Sequence, residues 1–196
     1  LSAGLAKQLE SLVDDPDPRV RAQLAFTLGS FRQEAATRLL AALAHKDGGE
    51  PIVRLAVLCS ADGRGDLFPL LLADEKYRET PAGKALLLAM VAQTAAANRK
   101  DELAGVVRAI DALPDAEKLL ARELVQAFVT KLPPAAREAF AGLATGKAGV
   151  ILADLLRDAT RTAGDEKADP AARATAVRTL ALAPFAEAKP LLAKCL

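Results

Sequence analysis

The chain has 196 residues, of which 52% are hydrophobic and only 4% aromatic, with no tryptophan. Ala and Leu, both strong helix formers, dominate the hydrophobic residues, which favours closely packed helices over a sheet. The 26 basic residues nearly balance the 25 acidic ones, which argues against nucleic acid as a partner because phosphate binding needs a concentrated basic surface. No run of about 18 apolar residues occurs, so we expect no membrane insertion.

Residues 17–29 carry the clearest helical pattern in the chain. Asp17 can accept hydrogen bonds from N–H groups of the first turn, and Pro18 suits the first helical position. Gly29 follows the last apolar turn and can end the helix. The apolar residues follow steps of four, four and three, which predicts one buried face made of Val20, Leu24, Leu28 and Phe31.

Apolar spacing predicts further helices along the rest of the chain. Their ranges are 2–13, 34–45, 50–60, 67–73, 80–97, 101–112, 113–131, 133–145, 150–162, 169–182 and 185–196, with a kink or break at Pro190. The residues expected to face inward are Ala35, Leu39, Leu40, Leu43, Leu103, Val106, Val107, Ile110, Leu119, Leu120, Leu124, Phe128, Ile151, Leu155 and Leu156. Because no strand-length segment alternates apolar and polar residues, we predict an all-α fold of about a dozen helices.

The beginning of the segment 17–29 recurs along the chain. Glu50-Pro51-Ile52-Val53-Arg54 repeats it 33 residues later, and a second clear copy begins at Asp169. Weaker copies begin at Thr80 and Pro133. Helical hairpins repeated at about 30–40 residues are typical of an α-solenoid, because a single hairpin cannot bury its apolar face alone.

The number of predicted helices does not fit a strict alternation of two helix types. Nine helix steps separate the segment at 17–29 from the copy at Asp169, whereas alternation requires an even number. Either one helix within 98–132 is extra, or the copy at Pro133 is a coincidence, or one helix has been divided in two. We therefore expect an irregularity between Ala97 and Gly146.

The repeated pattern of an acidic residue, Pro, any residue, Val and Arg resembles the HEAT repeat, and most closely the phycobilisome-lyase-like HEAT repeats of bacteria. Residues 17–29 match it closely, 50–61 and 169–182 moderately, and 80–91 weakly. The resemblance implies one domain over 1–196, a right-handed α-solenoid of five to six hairpins with its Pro-x-x-Arg helices on the concave side. It also implies a ladder of acidic and basic side chains between repeats, formed by Asp17, Arg21, Arg54, Asp169 and Arg173.

Residues 15–29 and 51–60 also resemble the HEAT region of large multidomain bacterial proteins described as membrane-bound dehydrogenases. Those proteins place a β-propeller before the repeats and a c-type cytochrome domain with a CxxCH motif after them, and this chain has neither. The resemblance implies a region of a longer protein that acts as a spacer or docking scaffold. It implies the cell envelope or periplasm as the compartment, with the cytoplasm as the alternative if the resemblance fails.

No residue is singled out as catalytic, cofactor-binding or metal-ligating. We expect Cys59 and Cys195 to be small buried hydrophobic residues, and His45 to lie in the last turn of a helix, where its cation would favour the helix dipole. The acidic cluster 14–17 lacks the ligand spacing of an EF-hand and is expected to cap a helix and form a turn. The glycines at 48–49, 63–65 and 146–149 are expected in hairpin loops.

Arginines recur near the beginnings of the predicted helices, at positions 19, 21, 54, 137 and 173. They could form a basic stripe for an acidic partner. The alternative, which we favour, is that each is neutralised within or between repeats, for example by a bidentate contact to a carboxylate.

The first functional hypothesis is a non-enzymatic scaffold that binds a protein, or a neighbouring domain of the same polypeptide, on its concave face, with no cofactor. The alternative is a lyase-like or glycosylase-like protein that holds a tetrapyrrole or a damaged base in its groove. A third hypothesis, nucleic-acid scaffolding without catalysis, predicts strongly salt-dependent DNA binding. The second hypothesis needs aromatic side chains in the groove, but those of the chain mostly lie on or near the apolar stripes: Phe26, Phe31, Phe68, Tyr77, Phe128, Phe140 and Phe185.

The helix register can be tested by truncating two predicted core side chains. We expect Leu24→Ala and Val57→Ala each to lower the free energy of unfolding by about 2–4 kcal/mol, with Val57→Ala at the lower end, because both leave cavities between helices. Urea unfolding curves measure the change. A loss below about 0.5 kcal/mol would place these side chains in solvent and refute the register.

Overall fold

The computed structural model describes residues 3–133, 136, 140, 142–183 and 193. These residues form eleven α-helices and two short 3-10 helices, Leu12–Asp14 and Asp115–Glu117, and no strand, so the predicted all-α fold class is confirmed. The α-helices are α1 (Ala3–Ser11), α2 (Pro18–Gly29), α3 (Glu34–Asp47), α4 (Pro51–Ser60), α5 (Leu67–Ala73), α6 (Glu75–Glu79), α7 (Pro81–Ala97), α8 (Lys100–Asp111), α9 (Lys118–Lys131), α10 (Lys147–Gly164) and α11 (Pro170–Leu180).

The helices pack in two rows. In row A, α2, α4, α7 and α9 lie side by side, each in contact with the next. In row B, α1, α3, α5, α8 and α10 do the same. The rows contact each other through helices that follow one another in the chain, such as α3 with α4, α7 with α8 and α9 with α10, and α11 packs on α10. The chain therefore crosses from one row to the other at almost every connection.

The short helix α6 was not among the predicted helices, so it does not account for the odd number of predicted steps, which includes the helix predicted at 133–145. It has five residues and joins α5 of row B to α7 of row A. Without α6, eight steps separate α2 from α11 among the described helices, which is an even number. The helix predicted at 133–145 lies largely outside the described residues, and the one predicted at 185–196 lies outside them except for residue 193.

Burial confirms most of the predicted apolar stripes. The predicted stripe of α8 is buried throughout, and the buried part of α9 includes Leu120, Leu124 and Phe128. Val20 is 36% exposed, although Val53 at the matching position of α4 is fully buried. The reason is that α2 is the first described helix of row A, so one of its sides has no neighbouring helix.

Four other predicted positions also differ. Ala35 is exposed in the first turn of α3, where the buried stripe starts at Ala36 instead. Leu119 is 78% exposed, whereas Leu120 and Ala121 in the same first turn of α9 are buried. In α10, which begins three residues earlier than predicted, Ile151 and Leu156 are half-buried while the buried stripe consists of Ala148, Leu152, Leu155, Ala159 and Ala163.

Gly29 allows α2 and α4 to approach closely at their carboxyl ends. A Cβ atom at this position would lie 2.7 Å from Ser60 Oγ and 2.9 Å from Ser60 Cβ. Ser60 Oγ in turn donates a buried hydrogen bond of 2.8 Å to the carbonyl oxygen of Ala25. The helix ends at Gly29 as predicted, but the packing of the two helices is the reason that only glycine fits there.

The amino terminus of α10 is capped by a residue from α8. Its own capping residue, Gly146, has no side chain, and the backbone N–H of Ala148 donates to Asp111 Oδ1 at 2.8 Å. A Cβ atom on Gly146 would lie 2.5 Å from Asp111 Oδ2. The nearby Lys147 side chain bonds the carbonyl oxygen of Leu113 and forms an ion pair of 3.1 Å with Asp115. Row B is thus joined at this point by polar contacts as well as by apolar packing.

The hydrophobic core runs through both rows without a break from α2 to the middle of α10. A second, small cluster joins the end of α10 to α11 and consists of Ala159, Ala163, Ala176 and Leu180. Because three of its four members are alanines, α11 buries much less apolar surface than the helices inside the rows.

Two glycine substitutions test the close approach of α2 and α4. We expect Gly29→Ala to lower the free energy of unfolding by about 1–3 kcal/mol, because the added methyl group collides with Ser60. Gly105→Ala is the matched control in α8, where a Cβ atom would meet nothing within 4 Å. It should raise stability by about 0.5–1 kcal/mol through helix propensity. Thermal or urea unfolding measures both changes, and a stabilising Gly29→Ala would contradict the observed packing.

Candidate interaction surface

Exposed apolar side chains occur on two neighbouring helices of row A, α2 and α4. Phe26 of α2 is 45% exposed, and Leu55 of α4 is 56% exposed. Ile52 and Cys59 lie three residues before and four residues after Leu55, so the three share one side of α4, and all are exposed. Cys59 was predicted to be buried, which is wrong, because its position faces away from both neighbouring helices. Cys195 lies outside the described residues.

The repeat spacing places these residues in line across the row. Phe26 and Cys59 are 33 residues apart, and Ala89 of α7 follows 30 residues later. Ala85 occupies the position in α7 that Leu55 has in α4, and it is exposed, while Ala89 is half-buried. Because α4 packs between α2 and α7, the repeat spacing assigns these positions to neighbouring helices of one row. We call this set of positions the apolar face and define it by Phe26, Ile52, Leu55, Cys59, Ala85 and Ala89.

The basic residues at the beginnings of the row A helices are mostly paired. Arg21 forms a bidentate contact with Asp47, with distances of 2.6 and 2.8 Å, and both side chains are nearly buried. Lys84 of α7 lies 2.6 Å from Glu123 of α9. Arg54 donates to the carbonyl oxygen of Gly48 at 3.4 Å. Arg21 is therefore neutralised by a carboxylate, as in the interpretation that we favoured, and Lys84 is neutralised in the same way, whereas the contact of Arg54 is to a carbonyl oxygen. Arg137 lies outside the described residues.

The predicted ladder between repeats is not formed by the residues proposed for it. Asp17 pairs with Arg19 at 2.7 Å instead of with an arginine of another repeat. Asp169 caps its own helix through the N–H of Ala172 at 3.0 Å, and Nε of Arg173 is buried without a hydrogen-bond partner. The acidic partner of Arg21, Asp47, comes from the end of α3, a position that the repeat pattern does not mark.

The acidic cluster at 14–17 performs the capping and turn roles predicted for it. Asp17 accepts a hydrogen bond from the backbone N–H of Arg19 at 2.9 Å, and Asp15 accepts one from the N–H of Asp17 at 2.8 Å. The Arg19 side chain, followed by its backbone N–H, lowers the pKa of Asp17 to about 2. Asp14 pairs with Lys46 of α3 at 2.5 Å. In the described part of the chain, no group of three or more His, Cys, Asp or Glu residues is arranged to hold a metal ion.

His45 lies in the last turn of α3, as predicted. Its Nε2 is 3.6 Å from Asp74 Oδ2, and its ring packs on Tyr77 with the two ring centres 4.5 Å apart. Burial raises the pKa of Tyr77 to about 12. The arrangement attaches the end of α3 to α6 and the residue before it.

A buried arginine between the hairpins was not predicted. Arg64 is only 4% exposed, and it donates to the carbonyl oxygens of Leu28 and Phe31 at the end of α2. It also donates to Thr37 Oγ1 at 2.8 Å, and the Thr37 hydroxyl donates to Asp66 Oδ2 at 2.7 Å. Burial lowers the pKa of Arg64, although arginine keeps its charge. The network satisfies the last carbonyls of α2 and joins α2, α3 and the loop before α5.

In the sequence, the glycine-rich loop around Arg64 is the feature that could have indicated this network. Gly63 has a φ of +66°, which favours glycine, and Arg32 donates to the carbonyl oxygens of Asp62 and Gly63. An arginine between two glycines and two aspartates in a short loop is an unusual arrangement. The loop position predicted for residues 63–65 is confirmed, but nothing in the local pattern identifies Leu28, Phe31 and Thr37 as the partners.

No helix in the described part of the chain combines the length and apolarity needed to cross a bilayer. Comparisons of the chain with protein-family models, curated proteins and solved structures returned no match. The function of the chain is therefore inferred from its own residues and contacts.

A matched pair of threonine substitutions tests the buried network. We expect Thr37→Val to lower the free energy of unfolding by about 1–3 kcal/mol, because Arg64 and Asp66 each lose a buried hydrogen-bond partner without a change of side-chain shape. Thr27→Val is the control, since the Thr27 hydroxyl only donates to the Gln23 carbonyl of its own helix. It should change stability by less than about 0.5 kcal/mol. Equal effects in urea unfolding would show that the network contributes nothing.

Proposed function

We propose that the chain is a HEAT-like, right-handed α-solenoid. The regular crossing between row A and row B supports this proposal, since the described helices alternate between the rows from α1 to α10, apart from the linking helix α6. A second support is that equivalent arginines make equivalent contacts. Arg21 donates to the carbonyl oxygen six residues before it, that of Asp15, and Arg54 does the same with Gly48.

The function that we propose is non-enzymatic binding or positioning of a protein through the apolar face. The observation that carries this proposal is the alignment of Phe26, Leu55 and Cys59 on two neighbouring helices that are held rigidly by a continuous core. Contiguous exposed apolar side chains are typical of protein interaction sites. The paired state of the neighbouring cations favours an apolar over an acidic binding partner.

A tetrapyrrole or nucleic-acid groove is the weaker alternative. Such a groove needs aromatic side chains that project into it. Four of the described aromatic residues are instead buried in the core: Phe68, Tyr77, Phe128 and Phe140. Phe26 is exposed but has no aromatic neighbour across the apolar face. Binding of bilin, haem or DNA by the purified chain would favour this alternative over the scaffold.

We further propose that the chain acts as a spacer or docking scaffold within a longer bacterial polypeptide with redox domains. The resemblance of residues 15–29 and 51–60 to such proteins is the support. The reading frame that contains the chain tests the proposal. A CxxCH motif downstream would favour it, and a complete reading frame that encodes these residues alone would refute it.

Hydrogen exchange tests the solenoid proposal. In a stack of repeats each unit is stabilised by its neighbours, so terminal units open before internal ones. We expect backbone amides of α11 to exchange at least about tenfold faster than those of α4 and α7, because among the described residues α11 contributes Ala176 and Leu180 to a small alanine-rich cluster and nothing to the main core. Loss of protection at one common rate in all helices would indicate a bundle around a single centre.

The scaffold proposal is tested by a pair of exposed leucines. Leu55→Ser changes the apolar face, and Leu70→Ser is the control in row B, where Leu70 is 44% exposed. The partner is first captured with the unchanged chain, then purified and titrated against each variant. We expect Leu55→Ser to weaken binding by about tenfold or more and Leu70→Ser to leave it unchanged.

Circular dichroism checks that both variants remain folded. Equal affinity of the two variants for every purified partner would refute the apolar face as the binding site. Strongly salt-dependent binding of DNA by the unchanged chain would refute the proposal in favour of nucleic-acid scaffolding.

A further inference from the structure

A groove lies in row B at the carboxyl-terminal ends of α5 and α8. Its volume is about 450 Å³. Leu72 and Ala73, the last residues of α5, line it together with Ala109 of α8 and with Ala112 and Leu113, which follow α8. The lining is therefore mostly apolar, as is usual in sites that bind a ligand or a partner.

The groove lies beside the shortest described helix of row B. The helix α5 has seven residues, whereas its neighbours in the row, α3 and α8, have 14 and 12. After Ala73 the chain leaves the row through α6, and Ala112 beyond the end of α8 is exposed. One turn of a helix with a diameter of about 10–12 Å and a pitch of about 5.4 Å occupies about 420–610 Å³. The groove therefore has the size of one turn of an additional helix.

Two charged residues of α6, Glu75 and Arg78, belong to the lining, and the charge of Arg78 is compensated. Arg78 Nε lies 3.1 Å from Glu117 Oε1, and Arg78 Nη1 donates to carbonyl oxygens of α5 at 3.3 and 3.4 Å. Glu75 is exposed, and none of the ion pairs among the described residues includes it. The groove therefore presents one carboxylate without a charged partner.

The cations near the groove do not offset Glu75 within the lining. Lys147, whose side chain bonds a carbonyl oxygen of a lining residue, is paired with Asp115 at 3.1 Å. Lys76 and Arg108 are exposed and do not belong to the lining. A ligand in the groove therefore meets apolar side chains and one uncompensated negative charge, which favours a ligand that carries a cation.

We propose that the groove binds one turn of a helix from a partner protein, with an apolar side and one Lys or Arg that pairs with Glu75. The size of the groove and its place in a row of helices support a helical occupant, and the unpaired carboxylate supports the basic residue. An amphipathic helix in an apolar groove is a common form of protein recognition. The groove lies in row B and the apolar face in row A, so this second contact site does not depend on the first.

The test uses a displayed library of peptides of about 15 residues, which is long enough for a helix. The residues of one helical side are randomised, and peptides are selected on the full chain. Counter-selection uses Ala112→Trp, which fills the groove with an indole ring at an exposed position. We expect the selected peptides to carry Lys or Arg among apolar residues spaced three and four apart.

Fluorescence anisotropy then compares the affinities of matched variants for the selected peptides. Ala112→Trp should weaken binding by about tenfold or more, because it occupies the groove. Its control is Ala153→Trp, at an exposed position of α10, which should leave the affinity unchanged. Leu55→Ser on the apolar face should also leave it unchanged, which separates this site from the first. Circular dichroism checks that the variants remain folded.

A second pair of variants tests the charge. Glu75→Gln should weaken binding about two- to fivefold at low salt, the range expected for an exposed ion pair. It should also remove the preference for Lys over Gln at the basic position of the peptide. The control is Glu79→Gln, since Glu79 is an exposed residue of the same short helix and does not line the groove.

Four outcomes would overturn the proposal. Selected peptides without a basic residue, or equal affinities of Glu75→Gln and Glu79→Gln, would refute the pairing with Glu75. Peptide binding that Ala112→Trp leaves unchanged would place the peptides elsewhere. Binding of octylamine as tight as that of the peptides would identify a site for small amines. A dimer of the unchanged chain that Ala112→Trp abolishes would identify a second copy as the occupant.

Discussion

The described helices bury their apolar sides against neighbouring helices of the same row and of the other row. The clearest demonstration is the contrast between Val53, which is fully buried, and Val20, which holds the same repeat position at the open side of α2 and is 36% exposed. Burial of apolar surface is the main favourable term in folding. The stability of any one hairpin is therefore a property of the stack, and the core is continuous through both rows.

Close packing of helices has two requirements. The first is that small residues occupy the contacts between helices, as Gly29 and Ala25 do opposite Ser60. The second concerns helix ends, which leave backbone groups without partners inside the helix. Arg64 satisfies the carbonyl oxygens at the end of α2, and Asp111 satisfies an N–H at the start of α10. Both contacts also fix how successive helices are placed, because their geometry is directional.

Local features of the structure could be predicted from the sequence because their causes are local. Asp17 caps α2 with its own side chain, and the buried stripe of α8 follows from spacing alone. Long-range contacts could not be predicted, because apolar periodicity identifies the buried side of a helix but not the residues that pack against it. The pairing of Arg21 with Asp47 and the exposure of Cys59 depend on which helix lies beside which. The Arg64 network depends on three segments that meet only after folding.

The same constraint explains why the apolar face can carry a function. Inside the rows a repeat position is limited to side chains that fit between two helices, as at Val53 and Ser60. On the apolar face the corresponding position holds Phe26, Cys59 or Ala89, which differ widely in size. Packing does not restrict these side chains, so they can vary without loss of the core. This freedom is the physical basis of the binding role that we propose for the apolar face.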